Sequence, residues 1–235
     1  MKRLLGLAVA VALLIAGPTI AYLTGAWIPA EPGHGEYPIR GIDISRHQGD
    51  IDWRQVAASG ISFVYLKATE GGDFQDAAFG HNLRDARAAG LACGAYHFFS
   101  LRTPGAVQAE NFLKTAPKDQ LALPPAVDLE YWGNSSARPK PEDFQRELRI
   151  YLEAITQAYG REPVIYTAPE FSDVYLKGFT LTSPWVRSVL FPIDRTQPWT
   201  FWQFTEKARV PGIHRFVDED VFHGDGAEFE RLLAH

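Results

Sequence analysis

The stretch AVDLEYW, residues 126–132, ends a short apolar run with two carboxylates one residue apart, Asp128 and Glu130. Side chains alternate along a strand, so positions i and i+2 share a face roughly 6–7 Å apart. Like charges at that spacing repel, and excluding water raises at least one of the two pKa values. Such a pair at the end of a buried strand is costly unless chemistry uses it.

The same kind of ending recurs along the chain. Apolar strand-like runs terminate in turn at Asp43, at Lys67 with Glu70, at His97, at Asp128 with Glu130, and at Tyr166, Arg187, Gln203 and Asp218. Each residue alone has a second reading: Asp43 as the cap of a turn, His97 as a satisfied core histidine, Arg187 as the neutraliser of a nearby acid. Eight such endings at equivalent positions point to one convergent site, because the strand ends of a βα barrel meet on one face. Several acids meet there, with neither a serine in a nucleophile-elbow pattern nor an HExxH or other two-histidine metal spacing. Paired acids without a metal cage suit glycoside cleavage, where one acid protonates the leaving oxygen and another stabilises the oxocarbenium-like transition state. No cofactor and no metal are expected. Tyr65, Tyr96, Tyr131, Tyr166 and Trp202 could wall a sugar-binding cleft, or serve as ordinary packing.

The elements that would hold these residues follow from the pattern. IRGIDIS, ISFVYLKATE, LACGAYHFF, PPAVDLE and EPVIYTA read as strands. Between them DWRQVAAS, DAAFGHNLRDARAAG, GAVQAENFLKTA and PEDFQRELRIYLEAITQAYG read as helices, the last with Pro141 at its start and Gly160 past its end. Beyond Thr167 the helical signal weakens: SPWVRSVL, WTFWQFT and VDEDVF read as three strands, and GAEFERLLA as a final helix. Alternation of strand and helix implies parallel pairing with crossovers. The expected fold is therefore α/β, an irregular TIM-like βα barrel of about eight strands with helices mainly between the first five.

Composition sets the limits. A chain of 235 residues with 46% hydrophobic and 13% aromatic content can bury one sizeable core. With 23 basic and 28 acidic residues and no basic run after the first few positions, nucleic acid is not an expected partner. The single cysteine, Cys93, sits in an apolar run and reads as a small buried hydrophobe. The first 28 residues carry Lys2 and Arg3 ahead of an uncharged apolar stretch, which reads as a signal peptide or an uncleaved membrane anchor. In either case the domain works outside the cytoplasm: exported to the periplasm or cell envelope, anchored in the inner membrane, or secreted. With an anchor, Lys2 and Arg3 stay inside and the membrane becomes a partner. Residues 29–38 read as a Pro- and Gly-rich linker, and residues 39–235 as the catalytic domain.

GIDISRHQGDIDW, FVYLKATEG, CGAYHFF, AVDLE, PVIYT, FWQFT and VDEDVFHG occur in the order found in family 25 glycoside hydrolases, the Chalaropsis-type lysozymes. The resemblance spans about residues 39–224. It implies hydrolysis of the β-1,4 bond between N-acetylmuramic acid and N-acetylglucosamine in the glycan strands of peptidoglycan. By that resemblance Glu130 is the general acid, and Asp128 assists the substrate's own N-acetyl group as nucleophile. Asp43 and Asp218 fall on the other acidic positions of the pocket. Tyr65, Lys67, Tyr96, His97, Tyr166, Trp202 and Gln203 lie in motifs associated with the groove. Both an oxazoline and a covalent glycosyl-enzyme intermediate are compatible with these residues. One departure stands out: Trp185-Val186-Arg187-Ser188-Val189 replaces a W-x-A-x-Y pattern, so Arg187 either pairs with an acid or meets a substrate carboxylate. Two alternatives remain: a non-catalytic peptidoglycan-binding relative, and a metal-dependent phosphodiesterase on a similar barrel.

Overall fold

The computed structural model describes residues 16–33 and 35–233. Nine strands form one sheet: β1 (Arg40–Ile44), β2 (Ile61–Glu70), β3 (Phe74–Gln75), β4 (Ala92–Phe98), β5 (Ala126–Leu129), β6 (Val164–Thr167), β7 (Pro184–Arg187), β8 (Phe201–Ala208) and β9 (Val217–Phe222). Pairing of β1 with both β2 and β9 closes eight of them into a barrel, leaving β3 as a short hairpin on β2. From β1 onward the α-helices are α1 (Trp53–Ala58), α2 (Phe79–Ala88), α3 (Gly105–Thr115), α4 (Pro141–Tyr159), α5 (Pro169–Tyr175) and α6 (Gly226–Leu233). The expected barrel is therefore present, with two refinements. A seven-residue helix, α5, follows β6, nucleated by Pro169 and held by Phe171 and Tyr175, which bury on one face four residues apart. The last strand, β9, runs antiparallel to both neighbours, whereas every other barrel pairing is parallel.

Local chemistry accounts for the helices. Asp52 caps α1, its Oδ1 accepting from the backbone N–H groups of Arg54 and Gln55 at 3.1 and 3.2 Å. Helix α4 starts at Pro141 and stops at Gly160, and its buried stripe is Phe144, Leu148, Tyr151, Ile155 and Tyr159. Spacings of three and four put these on one side of the helix, each contributing about 1.5–3 kcal/mol on burial.

Strand parity divides the barrel into two cores. Outward residues such as Ile42, Val64, Leu66, Ala95 and Val127 meet the helices. Inward residues fill the lower lumen with rings: Phe63, Tyr65, Trp185, Phe201 and Phe222, closed from below by Phe229 of α6. Two inward glycines make room for them. A Cβ on Gly41 would lie 2.2 Å from the Phe63 ring, and one on Gly94 would lie 2.4 Å from Tyr65. Cys93 points outward and is buried, donating to the carbonyl of Leu91 at 3.4 Å, as expected of a small hydrophobe.

The segment before β1 departs from its composition. Of the segment 29–38, expected to be a linker, Ala30, Pro32 and Tyr37 meet the barrel wall. Ala30 and Tyr37 are buried, and the Tyr37 ring meets Trp199 and Trp202 at centroid distances of 5.2 and 6.4 Å. The carbonyl of Pro32 accepts from Arg40 Nη2 at 2.9 Å. Further upstream residues 16–23 are helical, and Arg209 donates to the carbonyl of Thr24 at 3.1 and 3.2 Å. Most of the predicted leader, residues 1–15, lies outside the described residues. Among the described residues, no helix is long and apolar enough to cross a membrane.

Candidate active site

Above the ring-filled floor the inward side chains become polar. Asp43 and Asp218 face each other directly across the antiparallel β1–β9 pair, and Asp128 lies at the end of β5 with Glu130 just beyond it. Asp218 stands near the start of its strand, not at the end. It reaches the same mouth because β9 is reversed. The result is a cleft of about 540 Å³ that all four acids line, together with Lys67, Tyr96, Tyr166 and Gln203.

Hydrogen bonds fix part of this ring. The Tyr166 hydroxyl donates to Gln203 Oε1 at 2.8 Å, and Gln203 Nε2 donates to Asp43 Oδ2 at 3.0 Å. Lys67 pairs with Glu70 at 2.8 Å and lies over the Phe98 ring at 4.6 Å. Asp128 Oδ1 is buried with no hydrogen-bond partner. Asp128 lines the cleft, and a buried carboxyl left without a donor there invites one from a bound ligand.

The electrostatics follow from crowding acids in a dry mouth. Burial, and then the charge of Glu130, pushes the Asp128 carboxyl well above the usual carboxylate range. Burial with Asp218, Asp220 and Asp128 does the same to Asp43. Glu130 is pushed up to about 7, mainly by burial, against the opposing pull of Arg187 and Lys67. The sequence points to Asp128 as the neighbour that raises Glu130; in the structure burial leads, and Asp128 carries the clearer effect of their repulsion. Asp218 also rises to about 7, through burial first and then Glu206 and Glu130.

Three predicted substrate contacts lie elsewhere. His97 faces out from β4 into the helix layer, stacked on Tyr151 at 5.1 Å. Its Nδ1 meets Thr69 Oγ1 at 2.7 Å and its Nε2 meets Gln108 Oε1 at 3.0 Å, and burial lowers its pKa to about 4. Trp202 also points outward, packing in the cluster of Tyr37, Trp199 and Phe204. Parity explains both, since Tyr96 and Gln203 face inward and their direct neighbours cannot. Tyr65 faces inward but one layer too deep: it is fully buried, its hydroxyl donating to the Pro124 carbonyl at 3.2 Å. Of the other aromatics, Tyr131 packs on Phe171 at 4.8 Å, whereas Trp132, at 85% exposed, lines the cleft.

Other lining residues were not singled out from the sequence. Trp185 lines the cleft, its indole N–H held at 2.7 Å by Asp220, an acid with no exposure whose Oδ2 has no partner. Asp220 was legible, because it stands two residues after Asp218 on the same strand face. Ser45, His47 and Gln48, in the turn after β1, also line the cleft, and no periodic signal marks them. Arg187 pairs with Glu206 at 2.8 Å, in accord with its reading as the partner of an acid. Among the described residues, no group of three or more His, Cys, Asp or Glu side chains is arranged to hold a metal ion.

Residues 42–213 match the family described as Glycosyl hydrolases family 25. The chain is 32% identical to Lysozyme M1 of Streptomyces globisporus, covering 93% of this chain and 82% of that protein. It is 35% identical to the uncharacterised protein YegX of Escherichia coli K12, covering 84% and 74%. The solved family 25 glycosyl hydrolase of Bacillus anthracis superposes with a TM-score of 0.79 at 36% identity, covering 86% and 96%. With the closed mixed barrel and its acid-lined mouth, these likenesses make the chain a glycoside hydrolase and a member of glycosyl hydrolases family 25.

Proposed function

We propose that the cleft is that of a lysozyme, hydrolysing the β-1,4 bond between N-acetylmuramic acid and N-acetylglucosamine in peptidoglycan. The observation that carries this is the Asp128–Glu130 pair: two acids lining one cleft, one holding a proton to about pH 7 and the other with a buried, unpartnered oxygen. Glu130 donates its proton to the glycosidic oxygen as the bond to the anomeric carbon breaks. The N-acetyl carbonyl oxygen attacks that carbon while the amide N–H donates to the Asp128 carboxylate. A hydrogen bond to the charged form favours ionisation, so substrate itself drives Asp128 to the carboxylate and leaves the shared proton on Glu130. Water then opens the intermediate, with the Glu130 carboxylate taking its proton. Asp43 and Asp218 complete the negative field around the developing positive charge. Tyr96, Tyr166, Trp185 and Trp132 supply ring surface for sugars.

The apolar stretch after Lys2 and Arg3 supports export, with residues 1–28 as signal or anchor and the barrel working in the cell envelope. The test of the reaction is Glu130→Gln on purified sacculi. Release of reducing muramic-acid ends is lost while the variant still sediments with sacculi, because the amide keeps the shape and lacks the proton. A variant with full activity refutes the assignment.

A further inference from the structure

The acid-lined cleft continues sideways into an arm of about 520 Å³ that shares Glu130, Tyr166, Trp132 and Asp218 with it. The two parts differ in charge. The main cleft has five acids, Asp43, Glu70, Asp128, Glu130 and Asp218, against one lysine, and that lysine is bound to Glu70. The arm is lined by four acids, Glu130, Asp218, Glu206 and Glu170, and adds two cations, Arg187 from the end of β7 and Lys207 from β8. Arg187 donates one N–H to Glu206 at 2.8 Å, and the rest of its five-donor fork has no protein acceptor among the described residues. Lys207 has no carboxylate partner among them, and its ammonium lies 5.4 Å from the Phe216 ring centre. That wall is braced from outside: a Cβ on Gly25 would lie 2.5 Å from the Lys207 carbonyl oxygen and 2.9 Å from the Phe216 ring, and Arg209 clasps the neighbouring Thr24 carbonyl.

We propose that this arm is an anion subsite, in which Arg187 and Lys207 bind a carboxylate borne on the lactyl ether of the muramic acid. The proposal rests on the lysozyme reading and adds to it the substituent that is recognised and the side of the cleft it occupies. In the main cleft a carboxylate meets five acids against one paired lysine; in the arm it meets four acids against two cations, one of them a part-free guanidinium fork of the right shape for it. The strand would therefore dock in one sense only, with its lactyl arm over Arg187 and its glycosidic oxygen at Glu130. Two carboxylate sources share this chemistry: the stem peptide attached to the lactyl group, and the free lactyl carboxylate of a strand stripped of peptide.

Three substrates separate the possibilities: peptide-bearing strands, amidase-stripped strands, and stripped strands whose lactyl carboxylates have been converted to neutral methylamides. The readout is the ratio of kcat/KM on each carboxylate-bearing substrate to that on the neutral one, all at one pH. The full chain is expected to favour a carboxylate-bearing substrate by about ten- to a hundredfold, mostly through KM, and to lose that preference in high salt. Arg187→Gln and Lys207→Gln each bring the ratio toward one, and Arg187→Lys restores part of it. Which substrate carries the preference identifies the carboxylate. A wild-type ratio of one, or a ratio that both substitutions leave unaltered, overturns the subsite. If the wild type cleaves none of the three, the lysozyme reading itself fails.

Discussion

The raised proton affinity of Glu130 gives the proposed reaction a specific pH dependence. At pH 7 an acid with the ordinary glutamate value of 4.5 is protonated in about 1 molecule in 300, whereas one shifted to about 7 is protonated in roughly half. The shift thus raises the population of competent acid roughly 150-fold, equivalent to about 3 kcal/mol. The assay is the initial rate of reducing-end release from sacculi below saturation, at constant ionic strength, from pH 4 to pH 10. The expected kcat/KM falls about tenfold per pH unit above a limb near pH 7. Glu130→Gln is expected to lower the rate by about 10²–10⁴-fold, roughly 3–5 kcal/mol of barrier, and to abolish that limb. Asp218 provides the internal check, because burial brings its carboxyl to about 7 as well. Asp218→Asn is expected to keep the limb. A limb near pH 4.5, or a residual Glu130→Gln activity that retains the limb at 7, refutes the assignment of Glu130 as the acid.

Three further outcomes follow from the same geometry. Asp43, Asp128 and Asp220 hold protons in the fold to higher pH than in an unfolded chain, so their contribution to stability is complete below about 3.8 and is lost as pH rises through their folded values. Thermal melts should therefore give a higher Tm at pH 5.5 than at pH 8.5, and Asp128→Asn should raise the Tm at the upper pH while lowering activity at least a hundredfold; a Tm that climbs with pH contradicts the buried-acid picture. His97→Ala leaves the Thr69 hydroxyl without its partner, takes from Gln108 Oε1 one of its two contacts (the Ser100 N–H stays) and removes a ring stacked on Tyr151, for a cost of about 2–4 kcal/mol and a Tm lower by roughly 5–15 °C. Its pH–rate profile from 5 to 8 should match wild type, and a shifted limb would return His97 to the site. Excess chelator is expected to leave the rate of sacculus digestion unaltered, and its loss would favour metal-dependent phosphodiester chemistry.

Much of the barrel was legible because its signals are local. Pro141 and Gly160 bracket α4, Asp52 caps α1, and the apolar runs ending in polar residues mark the strands at their observed positions. What the runs do not encode is direction. The stretch VDEDVF looks alike whether β9 is parallel or reversed, and only its pairing with β1 and β8 decides it. The site was legible in its acids and less so in its walls. A strand-end census collects both faces of each strand, so Tyr96 came with His97 and Gln203 with Trp202, although parity allows only one of each pair into the lumen. Depth is also silent in a single strand: Tyr65 and Lys67 share the inward face, yet the first is floor and the second is cleft. Trp132 and Lys207 become part of the cleft through loop path and strand curvature, which the sequence pattern does not report.

Parity and reversal together explain how the barrel sustains so concentrated an acid cluster. Asp218 and Asp220 occupy successive inward positions of β9, and Asp43 stands directly opposite Asp218. Like charges facing each other across a strand pair are destabilising, the more so where water is excluded. The barrel offsets this in two ways. Below the acids, the layer of Phe63, Tyr65, Trp185, Phe201 and Phe222 buries ring surface against α6 and contains no charge. At the boundary, donors are built in: Trp185 to Asp220, and Tyr166 through Gln203 to Asp43. Two buried carboxyl oxygens stay unpartnered, Oδ2 of Asp220 and Oδ1 of Asp128, and of these two acids Asp128 is the one that lines the cleft, beside the acid that must hold a proton. Asp220 keeps the Trp185 donor on its other oxygen, whereas no hydrogen bond to the Asp128 carboxyl is made among the described residues. Leaving Asp128 open makes sense if the donor arrives with the substrate, so that ligand binding sets which of two carboxyls keeps the proton.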